Sequence, residues 1–201
     1  LCNQKKSSLT KKNFIFYFVI IFVKNIADAA IANNVNSAEE LNEVVINGAK
    51  VADMINDKLA AIGEKIGITR FERVNAEYVA SYIHGANRMG VLVGLTKAAA
   101  EAGKDVAMQI AAMNPLAVDE SSIAPETIAR EKEIAIEQIK AEGKPAEMAE
   151  KIAIGKVNKF LKDNTLVHQP FVKDNGKSVA DYLKSVDADL KVTEFRRVAL
   201  G

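Results

Sequence analysis

The chain has 201 residues, of which 49% are hydrophobic and 26% charged, and its 27 basic and 26 acidic residues leave a net charge of +1. A chain of this length can bury a substantial apolar core, in one domain or in two small lobes. The balanced charge, without aromatic side chains along a basic stripe, argues against direct binding of nucleic acid. The single cysteine, Cys2, excludes an intrachain disulfide and a multi-cysteine metal site.

Residues 1–21 form a leader of unusual composition. A basic stretch, KKSSLTKKN, precedes ten apolar residues from Phe14 to Val23, and small residues follow at Ala27, Ala29 and Ala30. This order has the charge and length of a secretory signal, but ten apolar residues are too few to span a bilayer, which needs about 20. Three interpretations stay open: a truncation or sequence-assembly artefact, a targeting segment, or an ordinary buried strand or helix.

Residues 22–65 are predicted to be the helical part of a first lobe. Ser37 is a candidate N-cap, followed by two glutamates, for a helix that ends near Gly48. A second helix is predicted from about Ala49 to Ile62. This lobe is therefore expected to have little or no sheet of its own.

A second lobe is predicted from residues 66–124 and 165–201. Its sheet is expected to contain strands at Ile66–Arg73, Tyr78–Ile83 and Met89–Leu95, because β-branched and aromatic side chains are concentrated there between turn residues. An amphipathic helix opening near a glycine follows the third of these strands. Its apolar residues are spaced for one face, and with the glycine they are Gly103, Val106, Ala107, Ile110 and Met113.

Residues 125–164 are rich in Glu, Lys, Ala and Ile and are broken by Gly143-Lys144-Pro145. Glycine after one helix and proline at the start of the next are typical of a tight antiparallel helical hairpin. The hairpin either packs only on itself or projects and pairs with another protein. After it, Ser178 is a candidate helix cap and Leu190 to Leu200 predicts a strand that returns to the sheet. The predicted fold class is α+β: an antiparallel sheet covered by helices, with an inserted antiparallel helical hairpin.

Residues suited to reaction chemistry are scarce. His84 and His168 are the only histidines, and neither has metal-ligand spacing. A role in turn or sheet-edge hydrogen bonding is expected for His84, with a partner contact as the alternative. The glycines do not form a phosphate-binding motif after a strand. No catalytic residue, metal or cofactor is therefore predicted.

Several segments resemble one family in the same order along the chain. They read ASYIHGANRMGVLVGLTKAAAEAGKDVAMQIAAM from residue 80, IAPETIAREKEIAIEQIKAEGKPAEMAEKIAIGKVNKF from residue 123, then QPFVKDNGKSVADYL and VTEFRRVALG. In amino-acid sequence and in hydrophobic pattern they are similar to elongation factor Ts, the nucleotide exchange factor of translation. The resemblance is clearest from Ile66 onward and weaker before it.

The resemblance implies a cytoplasmic protein that binds elongation factor Tu, a GTPase, and promotes release of GDP without covalent chemistry. It implies a docking surface at the turn before the third strand and on the following helix: Arg88, Met89, Gly90, Met108, Gln109, Ala112 and Met113. Many family members carry histidine where this chain has Gln109. A homodimer through the helical hairpin is a further expectation, and no membrane partner is expected.

One family feature is missing from this sequence. Ahead of the position of Phe22, the family carries a small helical module and a segment similar to Cys-Glu-Thr-Asp-Phe-Val, whereas this chain reads NFIFYFVIIFVKN. The alternative function is therefore a binding or dimerisation fragment without exchange activity, tethered to a membrane if the leader is an anchor.

Overall fold

The computed structural model describes residues 21–63, 67–143 and 145–200, so the interpretations of residues 1–20 lie outside the described part. The chain divides into two compact units, of which the first ends at Arg73 and the second begins at Val74. Across the described ranges, no helix combines the length and apolarity that a membrane crossing requires.

The first unit is mainly helical. Its apolar core is formed by buried side chains from all three helices and the connecting loop: Phe22, Ile26, Ala30, Val35, Leu41, Val51 and Ile55. The helices and strands are α1 (residues 21–32), α2 (Ala38–Glu43), β1 (Val45–Ile46), β2 (Ala49–Lys50) and α3 (Val51–Ile62). The Ser37 hydroxyl accepts a hydrogen bond from the Glu40 amide, which confirms the predicted N-cap of α2.

The predicted helix end near Gly48 is wrong, because α2 ends at Glu43 and a small hairpin follows. Asn47 and Gly48 have φ values of 53° and 87° at its turn. Two central residues with positive φ match the twist of paired strands, and Asn-Gly is the dipeptide best suited to them. The Asn-Gly pair was thus a hairpin signal that the helical interpretation overlooked.

The strand predicted at Ile66–Arg73 is also wrong for residues 67–73, which have no regular secondary structure. The Arg73 guanidinium donates hydrogen bonds to Asn34 Oδ1 (2.6 Å), Asn36 Oδ1 (2.9 Å) and the Val35 carbonyl (3.3 Å). Ile68 and Phe71 pack on the core of the first unit. This segment therefore joins the first unit instead of a sheet.

The second unit contains a three-stranded antiparallel sheet with strand order β3-β4-β7. Its elements are β3 (Tyr78–His84), β4 (Met89–Leu95), α4 (Ala100–Met113), α5 (Pro125–Ala141), α6 (Ala146–Asn164), β5 (Pro170–Phe171), β6 (Asp174–Ser178), α7 (Val179–Val186) and β7 (Val192–Ala199). The predicted bounds of β4 are confirmed, and the closing strand returns to the sheet as predicted, where β7 pairs with β4. The α+β fold class with its inserted hairpin is confirmed.

Helix α4 packs across β3 and β4. Alternate residues of β4, namely Val91, Val93 and Leu95, are almost fully buried and share a core with this helix. Val106, Ala107 and Ile110 are fully buried, as their spacing predicted. Met113 is not on that buried face: it is the last residue of α4, directly before Asn114 in the left-handed conformation, and 46% of it is exposed.

Helices α5 and α6 pack against each other as the predicted antiparallel hairpin. Near its tip, Ala135 and Ile139 of α5 meet Ala149 and Ala153 of α6 in a small buried cluster. Gly143, at the connection, has a φ of 79°. Alanines at the contact let the two helix backbones approach closely.

Candidate functional site

The docking residues predicted on β4 and α4 lie at one end of the second unit. Near its start, α4 approaches the sheet at Gly103, where an added Cβ would lie 3.1 Å from Leu95 Cδ1 at the far end of β4. The helix then runs back over the sheet for about 15 Å to its C-terminus, while β4 extends about 20 Å from Leu95 to Met89. The C-terminal end of α4 therefore lies toward the turn that precedes β4.

We call this region the turn end; it comprises Arg88, Met89, Gly90, Met108, Ala112 and Met113. Arg88, Ala112 and Met113 are exposed, whereas Met89, Gly90 and Met108 are half-buried. Three residues of the preceding turn, Gly85, Ala86 and Asn87, have positive φ values, from 52° to 68°. The turn end thus combines one cation with flexible apolar side chains, which suit an adaptable protein contact.

Gln109 was predicted to belong to the docking surface, but its side chain is 0% exposed. Its amide nitrogen donates to the Gln169 Oε1 (3.2 Å) and to the Pro170 carbonyl (3.1 Å). Its amide oxygen accepts from the Val172 amide at 2.8 Å. The structure therefore places Gln109 beneath the surface, where it holds the segment that contains β5.

One helical turn before Gln109, Asp105 holds the same segment at a second point. Its carboxylate accepts from Lys173 Nζ (2.6 Å) and from Tyr182 Oη (2.9 Å). The Tyr182 ring stacks on Phe171 with 4.1 Å between centroids. We call Asp105 and Gln109 the α4 clamp, since residues four apart share a helix face.

The α4 clamp was not predicted, because its partners lie 60 to 77 residues away along the chain. Asp105 looks like any charged residue on an amphipathic helix, and Gln109 looks like a surface amide. Only Tyr182 within QPFVKDNGKSVADYL carried a hint, as an aromatic residue on the apolar side of a short helix. Which polar groups Tyr182 contacts is determined by the tertiary structure alone.

Tyr182 gives the clamp a measurable pH dependence. Burial, followed by the hydrogen bond to Asp105, raises the pKa of Tyr182 from 10 to about 12. A raised pKa favours the neutral phenol in the folded protein, so this stabilisation is complete below pH 10 and is lost as the pH rises toward 12. The free energy of unfolding is therefore expected to fall between pH 10 and pH 12, and Tyr182→Phe should flatten that fall.

Urea denaturation at several pH values measures this effect, with Tyr78→Phe as the control because Tyr78 has no comparable carboxylate bond among the described contacts. An alkaline fall of the same size in wild type and Tyr182→Phe would contradict the assignment.

The two histidines make local hydrogen bonds. His84 Nδ1 lies 3.0 Å from Tyr82 Oη across one residue of β3, and His168 Nδ1 lies 2.9 Å from Thr165 Oγ1. His84 is exposed, so this bond leaves it accessible from solvent. In the described part of the chain, metal-ligating side chains do not cluster in groups of three or more.

The fold and these contacts define an α+β protein of two units, with a helical hairpin inserted in the second and a partly exposed turn end formed by β4, α4 and the turn before β4. The chain belongs to the elongation factor Ts family, whose model, described as elongation factor TS, matches residues 17–201. The match thus includes residues 17–21, at the end of the leader.

Curated relatives agree with this family. The chain is 49% identical over 176 residues to elongation factor Ts of Christiangramia forsetii, covering 86% of this chain and 64% of that protein. It is 46% identical over 184 residues to elongation factor Ts of Flavobacterium psychrophilum, covering 90% and 67%. It is 42% identical over 200 residues to that of Amoebophilus asiaticus, covering 98% and 71%. The chain therefore spans about two thirds of the length of these relatives.

Proposed function

We propose that this chain binds elongation factor Tu in the cytoplasm and promotes release of GDP for exchange with GTP. The observation that supports the proposal is the turn end, a partly exposed and largely apolar surface in a chain that belongs to the elongation factor Ts family. The activity needs no covalent chemistry from the chain itself.

Linkage gives the physical requirement for exchange. A factor that binds the nucleotide-free GTPase more tightly than the GDP form weakens GDP binding by the same factor, about 1.4 kcal/mol for each tenfold change. The contacts of the turn end must therefore favour a GTPase conformation in which the GDP site is disturbed. A rigid surface transmits such a preference better than a mobile one, since less ordering entropy is lost on binding.

In this proposal Met89, Met108, Ala112 and Met113 supply the apolar contact and Arg88 supplies charge at its edge. Gln109 acts from below as a positioning residue, because it bonds to the Gln169 side chain, the Pro170 carbonyl and the Val172 amide and so holds residues 169–172 against α4. Val172, which is 40% exposed, lies in this segment and is held through the hydrogen bond from its amide to Gln109.

A second function, binding or dimerisation without exchange, is favoured by the exposed surface of the hairpin. The hairpin exposes Ile134, Met148 and Ile154, with exposed fractions of 37%, 53% and 53%. A second copy of the hairpin would cover these side chains in a homodimer.

The first test measures the release of a fluorescent GDP analogue from elongation factor Tu, together with a pull-down of the two proteins. Met113→Asp is expected to weaken binding about tenfold or more, because it places a carboxylate in an apolar contact. Met148→Asp is the comparison variant: it makes the same change at a methionine of similar exposure on the hairpin surface proposed for the second function, away from the turn end.

Accelerated release by the wild-type chain, reduced in Met113→Asp alone, would support exchange through the turn end. Binding without acceleration would support the second function. Neither binding nor acceleration would reject both, and equal losses in the two variants would reject the turn end as the contact.

A further inference from the structure

Arg197 on β7 has a guanidinium without a partner in the described part of the chain. Its Nε is buried and makes no hydrogen bond. Its neighbour Arg196, by contrast, forms an ion pair with Glu194 at 2.9 Å. A buried group that carries charge is normally paired, because removing it from water is costly unless another group compensates.

The strand register places Arg197 at the turn end. Arg197 lies opposite Val91, and Val91 lies opposite Tyr82 on the other side of β4. Residues directly opposite each other project from the same face of a sheet, so Arg197 shares the face that α4 covers. The next residues on this face are His84, Met89 and Ala199, at the turn itself.

The charge of this region is one-sided. The segments that contain or adjoin the turn end are residues 80–92, 106–113 and 195–200. Together these segments contain three arginines and no aspartate or glutamate. Elsewhere in the second unit, Asp105 and Asp187 form ion pairs with lysines. One of the three, Arg196, pairs with Glu194 just outside these segments, whereas Arg88 and Arg197 have no carboxylate partner among the described contacts.

We propose that Arg197 binds a carboxylate of the partner GTPase when the turn end docks, an inference that rests on the proposed function. The terminal nitrogens of a guanidinium form two parallel hydrogen bonds with a carboxylate, a geometry that lysine cannot reproduce. Arg197 is half-buried, with its Nε out of solvent, so part of the side chain is already fixed before binding. Met89, opposite Ala199 on the same face, helps to exclude water from the ion pair and strengthens it.

A protein carboxylate fits this site better than a nucleic-acid phosphate. Nucleic-acid surfaces carry a continuous basic stripe that neutralises several phosphates. Here Arg197 and the exposed Arg88 are set among apolar side chains, and Arg196 projects from the opposite face with Glu194.

Arg197→Met in the full chain tests this inference, with Arg196→Met as the matched control on the opposite face of the same strand. Both variants remove one positive charge, so they change long-range attraction equally. Arg197→Met is expected to raise the Kd for nucleotide-free elongation factor Tu about 10- to 100-fold. Arg196→Met is expected to raise it at most about fivefold. Arg197→Lys should lie between wild type and Arg197→Met, because it keeps the charge but loses the fork.

Thermal unfolding separates binding from folding. Arg197→Met is expected to have a Tm equal to or above that of wild type, because it removes a charge that the folded chain does not compensate. Arg197→Glu should lose binding, and substitution of the matching acidic residue of elongation factor Tu by lysine should restore it.

Equal Kd values for Arg197→Met and wild type would overturn the inference and leave the proposed function intact. A Tm of Arg197→Met well below that of Arg196→Met would overturn it by assigning Arg197 to the fold. Loss of binding to yeast tRNA, with binding to elongation factor Tu retained, would assign the residue to nucleic acid and also overturn it. Absence of binding by the wild-type chain would reject the proposed function together with the inference.

Discussion

Gly103→Ala is expected to destabilise the protein by about 1–3 kcal/mol, although alanine normally stabilises a helix relative to glycine. An added Cβ would lie 2.5 Å from Ala80 Cβ and 3.1 Å from Leu95 Cδ1. The Ala80 Cβ is attached directly to the backbone of β3 and cannot rotate away. The helix must therefore move off the sheet, and Val106 and Ile110 would lose part of their packing.

The matched control is Gly155→Ala, at a glycine inside α6 whose added Cβ would meet nothing within 4 Å. There only the backbone effect remains, and stabilisation by about 0.5–1 kcal/mol is expected. Urea denaturation of both variants measures the contrast, and changes of the same sign would contradict the close approach of α4 to β3. Met113, a turn-end residue, is at the end of the same helix. Under the proposed function, the Gly103→Ala variant is therefore also expected to promote GDP release from elongation factor Tu more slowly than wild type.

Gln109→Met is expected to cost about 2–4 kcal/mol of stability, because methionine fills a similar volume but leaves buried polar groups without partners. The groups affected are the Gln169 side chain, the Pro170 carbonyl and the Val172 amide. Chemical denaturation gives the loss, and hydrogen exchange at the Val172 amide shows whether the segment is released. Binding to elongation factor Tu should weaken as well, since the segment beside the turn end becomes mobile.

Gln138→Met controls for the loss of an amide as such, because Gln138 is exposed on α5 and its change should stay within about 0.5 kcal/mol. Gln109→His should recover part of the loss, since neutral imidazole has one donor and one acceptor. If Gln109→Met unfolds at the same urea concentration as wild type, the α4 clamp does not hold residues 169–172.

Two wrong sequence predictions have different causes. The end of α2 was misplaced although the signal was present, since Asn47-Gly48 between apolar residues is typical of a hairpin turn. The strand at Ile66–Arg73 was predicted wrongly because hydrogen bonds from the Arg73 side chain to Asn34, Val35 and Asn36 hold this segment on the first unit. Contacts between residues 37 to 39 positions apart leave no trace in local periodicity.

For the candidate site, too, some features were predicted from local sequence and others were missed. The turn and β4 were predicted because alternation and turn residues act over a few positions. The burial of Gln109 was not, because a polar side chain on an amphipathic helix looks like a surface residue until its partners are known. Arg197 was also missed, since a positive charge on a predicted strand says nothing about whether a carboxylate will lie beside it.

The sequence by itself determined the α+β class, the bounds of β4, the Ser37 cap, the inserted hairpin and the resemblance to elongation factor Ts. These features follow from hydrogen bonds and side-chain spacing within a few residues, or from the order of whole segments. Only the tertiary structure decided that Gln109 is buried, that Asp105 contacts Tyr182 and that Arg197 Nε has no hydrogen-bond partner among the described residues. Each of these depends on which distant groups the fold brings within about 3 Å, the range at which hydrogen bonds and ion pairs form.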